Sequence, residues 1–310
     1  VTVTLVAIGD SWELDGFSFN TGPDNRGYSL LVKTHKGWDD GRPPRPRLSD
    51  RPNGDGSYRA PNYRGSKVIE LAGIARAGSR ADRERFKREL GAICLDARTL
   101  FPLSKTTRVD TLTAYVELTS EPAFTDLPDG LTFAFNIQVL APDGRRYSNE
   151  LKSAQAMLAQ ASVQGVQWDG PGPGVTGVQW GGPGPAITGV VWQASSGTGS
   201  TIGLDNDGTA NAPILFTFNA PATGTLPAPA VTRLDTGETI AYSGTLVPGD
   251  VLTVNTGTGL ALLNGVPVRG LFSRFELFEI APHSETSVQF SASGPADTAT
   301  MLAQWSDAYN

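Results

Sequence analysis

Few side chains in this sequence are of the kinds that ligate metals or attack substrates unaided. There are two histidines, His35 and His283, and one cysteine, Cys94. Neither histidine has a second ligand at metal-binding spacing, so a zinc site is not expected. Cys94 follows an apolar residue at the end of a predicted helix, the setting of a buried structural thiol. Asp205-Asn206-Asp207-Gly208 has the opening of a calcium loop, but the twelfth position, which should be a ligand, is Phe216. We therefore read it as a turn entering a strand. Glu276 and Glu279 stand three apart on a predicted strand, on opposite faces, and do not make a glycosidase pair. No nucleophile elbow, zincin helix or phosphate-binding loop motif occurs. No catalytic, cofactor-binding or metal-binding residue is expected, and no cofactor.

Two stretches have binding chemistry instead. Residues 35–65 form a proline-rich loop with Arg42, Arg45, Arg47, Arg51, Arg59 and Arg64 alongside Trp38, Tyr58 and Tyr63. Asp39, Asp40, Asp50 and Asp55 are interleaved with the arginines and cancel much of the field a nucleic acid would need. Arginine mixed with aromatics fits a protein–protein contact. Residues 165–192 read GVQWDGPGPGVTGVQWGGPGPAITGVVW, with Trp168, Trp180 and Trp192 repeating every twelve residues. Glycine and proline exclude a helix there. Three exposed tryptophans would be a solubility liability, whereas burying about 200 Å² on each is worth several kcal/mol. The segment is expected to complete itself on an assembly partner; a flap packed on the chain's own sandwich and a sugar-stacking platform are the alternatives.

The surrounding elements are mostly strands. Val1, Val3 and Leu5 alternate with Thr2 and Thr4 as in a half-buried strand. Further strands are predicted at 28–34, 66–73, 107–118 and 131–142. One clear helix spans 79–93: Ser79 caps it, Asp82 sits in the capping-box position, and Phe86, Leu90 and Ile93 form its apolar stripe. A second, shorter helix capped by Ser148 is predicted over 148–162. Beyond residue 196 the predicted strands are 212–218, 230–234, 239–244, 250–256, 259–263, 266–270, 274–280, 287–292 and 298–305. Turn residues such as Asn264-Gly265 punctuate them, the pattern of a β-sandwich.

Composition agrees with a mainly β chain: 310 residues with 36 glycines, 22 prolines and 18% charged residues. A single cysteine excludes an intramolecular disulfide. No apolar run is long enough for a membrane span, and the first residues lack the basic, apolar pattern of a signal peptide. Residues 1–152 hold 22 Lys+Arg against 20 Asp+Glu, and residues 153–310 hold 3 against 11. Two parts of opposite balance point to two surfaces with different partners.

The order of these features resembles the distal tail protein (Dit) family of long, non-contractile-tailed phages, a group of minor tail or baseplate hub proteins. The resemblance lies in Gly37-Trp38, the Pro/Arg loop, DGSYRAPNYRGSKVIELAG, the single helix, RVDTLTAYVEL and FAFNIQVLAPDGRRYS. It continues through NDGTANAPILFTF, DTGETIAYSGTLVPGDVLTVNTGTGLALLNGVPV and MLAQWSDAY. The Trp segment departs from the family pattern.

The resemblance implies an N-terminal β-rich, ring-forming domain with one clear helix (1–150) and a C-terminal galectin-like β-sandwich (196–310). The short helix and the Trp-bearing arm (151–195) lie between them. It implies a structural virion component, not an enzyme: a homohexameric ring at the tail tip, made in the host cytoplasm without a signal peptide. Its partners would be other copies of itself, the tail tube protein and the tail-tip hub protein, with DNA only in passage through the channel. A host surface glycan on the C-terminal domain is a further implied partner. The candidate inter-subunit residues are Trp38, Arg42, Arg45, Arg47, Tyr58, Tyr63, Trp168, Trp180 and Trp192. The alternative is a carbohydrate-binding β-sandwich module of a tail adhesin.

Overall fold

The computed structural model describes residues 9–45, 48–53, 55, 57–59, 63–158, 200–293 and 299–310. The expected strand over Val1–Leu5 lies outside them, as do Arg47 and all three tryptophans of the 165–192 repeat. The chain forms two compact units. The first comprises Val1–Leu151 with Asp207–Asn211 and Ser306–Asn310; the second comprises Lys152–Asn206 and Ala212–Trp305.

The first unit is built on a ten-stranded antiparallel sheet. Its main path runs Phe17–Phe19, Ser11–Leu14, Phe101–Thr106, Thr111–Leu118, Thr132–Ala141, Lys67–Arg76, Ser29–Lys36. Alternation sets one face: Phe133, Phe135, Ile137 and Val139 of one strand and Ile69 and Leu71 of its neighbour are buried. The helix Arg80–Gly91 covers part of this core with Phe86 and Leu90. Phe86 stacks on Tyr28 at 4.3 Å and meets the edge of Phe133 at 5.7 Å. The expected cap is present: Asp82 N donates to Ser79 Oγ at 3.1 Å, and the Ser79 hydroxyl donates to Asp82 Oδ2 at 2.6 Å.

The helix ends at Gly91, two residues before the buried Ile93. Cys94 then takes a left-handed conformation (φ 52°), with its backbone N–H on Asp15 Oδ2 at 2.7 Å. Burial, reinforced by Asp15, pushes its thiol up to about 12, as an inert structural cysteine requires.

The two ends of the main path are tied by one side chain. Asn20 follows the strand Phe17–Phe19 in a left-handed conformation (φ 64°). Its backbone N–H donates to Leu30 O, and its Oδ1 accepts from Val32 N, both at 2.8 Å. Its Nδ2 donates to Asp10 O at 2.8 Å. An asparagine here links both terminal strands, Phe17–Phe19 and Ser29–Lys36, through hydrogen bonds that no strand ladder supplies.

The second unit is a two-sheet sandwich. One sheet has the order Lys152–Met157, Thr300–Trp305, Leu215–Asn219, Val251–Asn255, Leu260–Leu263, Val266–Pro267. The other has the order Ser200–Asn206, Ser284–Ser291, Ala230–Arg233, Thr239–Tyr242, Phe272–Phe275. Phe218 of the first meets Phe290 of the second at 5.7 Å, across the layer between them. The Asn264-Gly265 hairpin forms as its residues predict, with φ of 51° and 82° and Leu263 opposite Val266.

Three expectations change. Residues 148–162 do not begin a helix: Arg146–Ser148 and Lys152–Met157 are strands. The Ala, Gln and Met that favour a helix locally are overridden by a six-residue ladder with Thr300–Trp305, which buries Ala156. The segment 204–213 is more than a turn. Ser200–Asn206 is a full strand, and the next five residues join the first unit, where Asp207 N donates to Asp307 Oδ1 and Ala210 bridges Ala308. The strand predicted at 107–118 forms over the narrower span Thr111–Leu118, as the second arm of a hairpin whose first arm, Phe101–Thr106, was not expected.

Asn20→Ala should cost about 2–3 kcal/mol, from lost hydrogen bonds plus left-handed strain. Asn20→Gly, which removes only the bonds, should cost less. Urea unfolding of the three proteins measures both differences, and equal stability of Asn20→Ala and the parent would remove Asn20 from this role.

Candidate functional site

Within the first unit, the loop expected over 35–65 is a nested β ribbon. Pro44–Arg45 pairs with Tyr63–Arg64, and Leu48–Asp50 pairs with Ser57–Arg59. Gly65 N closes the inner rung on Pro43 O at 2.8 Å, and Ser57 Oγ donates to Asp50 Oδ1 at 3.0 Å. Every described side chain of these strands is exposed or half-buried, so the ribbon projects charge. Arg45, Arg51 and Arg64 are exposed, Tyr58 is 60% exposed, and the Arg51 guanidinium lies 5.5 Å from the Tyr58 ring.

Trp38 does not share this exposure. It is 1% exposed and packs edge-on against Trp12 at 5.0 Å, inside the core of the unit. This corrects its assignment as a subunit contact. The reason is local: Gly37, at φ +80°, turns the chain inward, where a Cβ would stand 1.9 Å from Val68 O.

Around Trp38 a cluster of charges holds the foot of the ribbon. The Arg146 guanidinium lies 5.7 Å from the Trp38 ring, reaches Asp39 Oδ1 at 3.4 Å and donates to the Asn310 carbonyl. Lys67, 3% exposed, donates to Trp38 O at 2.6 Å. Arg42 places Nε and Nη2 on Asn310 Oδ1 at 3.0 and 2.6 Å, and its own carbonyl accepts from Arg64 Nη1 at 3.2 Å. His35 Nε2 and Asp39 Oδ2 are 3.0 Å apart, and Lys105 bridges Asp10 and Asp39 at 3.1 and 3.5 Å.

These surroundings shift the charges. Burial, with repulsion from Arg146, pulls Lys67 down to about 8, against the opposing pull of Asp40 and Asp39. Burial also lowers Arg42, helped by Arg145. Against the upward push of partial burial, the hydrogen bond from His35 and the charge of Lys105 hold Asp39 below the ordinary carboxylate range.

The structure therefore brings Arg42, Arg45, Tyr58 and the backbone of Tyr63 onto one ribbon and withdraws Trp38 from it. Lys67, Arg146 and Asn310 carry no local sequence signal, because their partners lie 29 to 268 residues away. Among the described residues no three His, Cys, Asp or Glu side chains could hold a metal ion, and no helix is long and apolar enough to cross a membrane.

No protein-family model matches the sequence, and no curated relative matches it. Its fold matches that of SPP1 Dit (gp 19.1), described as a paradigm of the hub adsorption apparatus in phages infecting Gram-positive bacteria. The TM-score is 0.60 at 11% identity, over 97% of this chain and 99% of that one. Chains from the phage P2 baseplate in its activated conformation, with Ca and with Sr, give TM-scores of 0.46 and 0.47 at 11% and 12% identity. Each pairs 96% of this chain with 97% of its own. At that distance neither adds to what the first shows. The chain is thus mainly β, with a Dit-like fold.

Lys67 gives this cluster a pH signature. Its folded value lies below the ordinary 10.5, so burying the charged ammonium costs stability below pH 8, and the cost fades as pH rises to 10.5. Its contribution to unfolding free energy should rise on the order of 3 kcal/mol across that window. Lys67→Met should flatten the rise in chemical denaturation at pH 7.5, 9 and 10.5; an unchanged slope would contradict the assignment.

Proposed function

We propose that this chain is a structural, non-enzymatic component of a phage tail tip, a distal tail protein whose copies close into a ring. The observation that carries this reading is the fold correspondence with SPP1 Dit over 97% of this chain and 99% of that one, both units included. A ring of identical copies needs one surface that binds a different surface of its neighbour. The Pro/Arg ribbon supplies a first surface of that kind: a backbone ladder pinned at its foot, presenting Arg45 and Tyr58 outward, two residue types favoured at protein interfaces. Arg42 holds the foot, and Arg47 and Tyr63 belong to the same segment. Trp168, Trp180 and Trp192 are assigned to a second subunit contact.

In this reading six copies join the tail tube protein on one side to the tail-tip hub protein on the other, and DNA passes through the central channel. The protein acts in the virion. The sandwich, with three basic residues against eleven acidic ones in 153–310, takes different partners from the ring-forming unit. A sugar-binding role has less support: the aromatic side chains described in the sandwich are buried or, at Phe272 and Phe275, half-buried and packed on each other at 5.0 Å.

Native mass spectrometry of the purified chain should give a species near six times 32.7 kDa, about 196 kDa, with ring-shaped particles in negative stain. Arg45→Glu combined with Tyr58→Ala should shift the population to the 32.7 kDa monomer while leaving its circular dichroism unchanged. A monomer for the parent chain, even when mixed with tail tube and hub proteins, would overturn the ring; a ring that survives the double substitution would remove the ribbon from it.

A further inference from the structure

The two sheets of the sandwich differ in one respect that packing does not explain. The four central strands of the six-stranded sheet, Thr300–Trp305, Leu215–Asn219, Val251–Asn255 and Leu260–Leu263, contain no Asp, Glu, Lys or Arg at all. The five-stranded sheet has Asp205, Glu285, Arg233 and Arg274 in its strands. Inward positions of the six-stranded sheet are buried, as expected: Phe216, Phe218, Leu252, Val254, Met301 and Ala303. Absence of charge from its outward positions is the unusual feature, because the free face of an antiparallel sheet is normally the charged one.

Register makes these outward positions continuous. Leu302, Thr217, Thr253 and Leu262 stand side by side across the four strands. At the margins Leu260 is 53% exposed and Met157, on the edge strand, 53%. The face is therefore broad, neutral and edged with exposed apolar side chains, the character of a surface that another chain covers.

The same sequence holds a segment of matching character. Residues 159–199, which follow this sheet's edge strand Lys152–Met157, contain a single charged residue, Asp169, along with Trp168, Trp180 and Trp192. We propose that the uncharged face of the six-stranded sheet is the landing surface for this tryptophan segment of a neighbouring copy. The inference rests on the ring reading for the identity of the partner. Neutral meets neutral, so no charge is stripped of water without a counter-charge, and apolar area on both sides leaves solvent together. Segment and face are two different surfaces of one chain, the arrangement a closed head-to-tail ring requires. Tethered at both ends, these 41 residues can extend about 65 Å from the sandwich at about 3.3 Å per residue.

Acrylamide quenching of tryptophan emission reads the contact directly. Trp12, Trp38 and Trp305 are already buried and supply a protected background that also reports folding. Thr253→Lys places a charge at the centre of the face and should raise quenching, while Thr253→Ser should leave it as in the parent. A second protein, with Trp168, Trp180 and Trp192 all changed to Ser, keeps the face but lacks the reporting segment. Mixing it in excess with the Thr253→Lys protein, followed by dissociation and reassembly, should restore protection, because the intact segment then lands on an intact face. If Thr253→Lys leaves quenching at the parent level, the face is not the landing surface. If Thr253→Lys raises quenching but mixing restores nothing, the segment binds its own sheet and the neighbour is overturned. Mass spectrometry of the same samples keeps the readings apart: a ring with no response to Thr253→Lys sinks this inference alone, and a parent chain that is monomeric yet protected sinks the ring and the neighbour together.

Discussion

A buried cation must be given acceptors, and at the foot of the Pro/Arg ribbon many of those acceptors are backbone or amide oxygens. Lys67 donates to the Trp38 carbonyl, Arg146 to that of Asn310, and Arg42 to the Asn310 side chain. Carboxylates alone would satisfy charge wherever the chain happened to run; a carbonyl satisfies it only if the backbone is already in place. The cluster thus couples four distant stretches, 38–42, 67, 146 and 310, into one condition. If any of them moves, a cation is left buried with too few partners, an error worth several kcal/mol. Trp38, turned inward at Gly37 and packed against Trp12, sits beside this fixed backbone at the foot of the ribbon.

The elements that were plain in the sequence are those whose signal is local. Ser79 and Asp82 announced the helix, Asn264-Gly265 announced its hairpin, and the alternation in 131–142 announced a strand observed at Thr132–Ala141. The failures share a cause. Lys152–Met157 has helical propensity but a partner 143 to 153 residues away, at Thr300–Trp305. Trp38 sits among arginines in the sequence and among core aromatics in space, because one glycine turns it inward. At the candidate site the ribbon's arginines were legible by composition. Lys67, Arg146 and Asn310, which hold the ribbon, were not, since nothing within a few residues of any of them hints at a shared carbonyl or amide.

Asn20 shows the same economy on a smaller scale. A sheet of this length could leave its terminal strands unlinked, open to pairing with another chain. One residue able to take a left-handed backbone, and to donate and accept at once, ties them together. Charge is handled differently in the two units. The first commits several cations to internal order around Trp38 and projects others on the ribbon, while the four central strands of one sheet of the second carry no charge. A molecule with these two kinds of surface is equipped for two kinds of contact, one sensitive to salt and the other to temperature through its apolar area.

Connectivity sets the timing of all this. The first unit includes Ser306–Asn310, whose Ala308–Tyr309 strand pairs with Arg146–Ser148 and whose Asn310 meets Arg42. On the ribosome those five residues appear only after every strand of the sandwich has been translated. The unit that is begun first is therefore finished last. A chain interrupted anywhere in the sandwich lacks the oxygens that anchor Arg42 and Arg146, and its ribbon has no fixed foot. In the order of synthesis, the oxygens that anchor Arg42 and Arg146 therefore arrive after everything they hold in place.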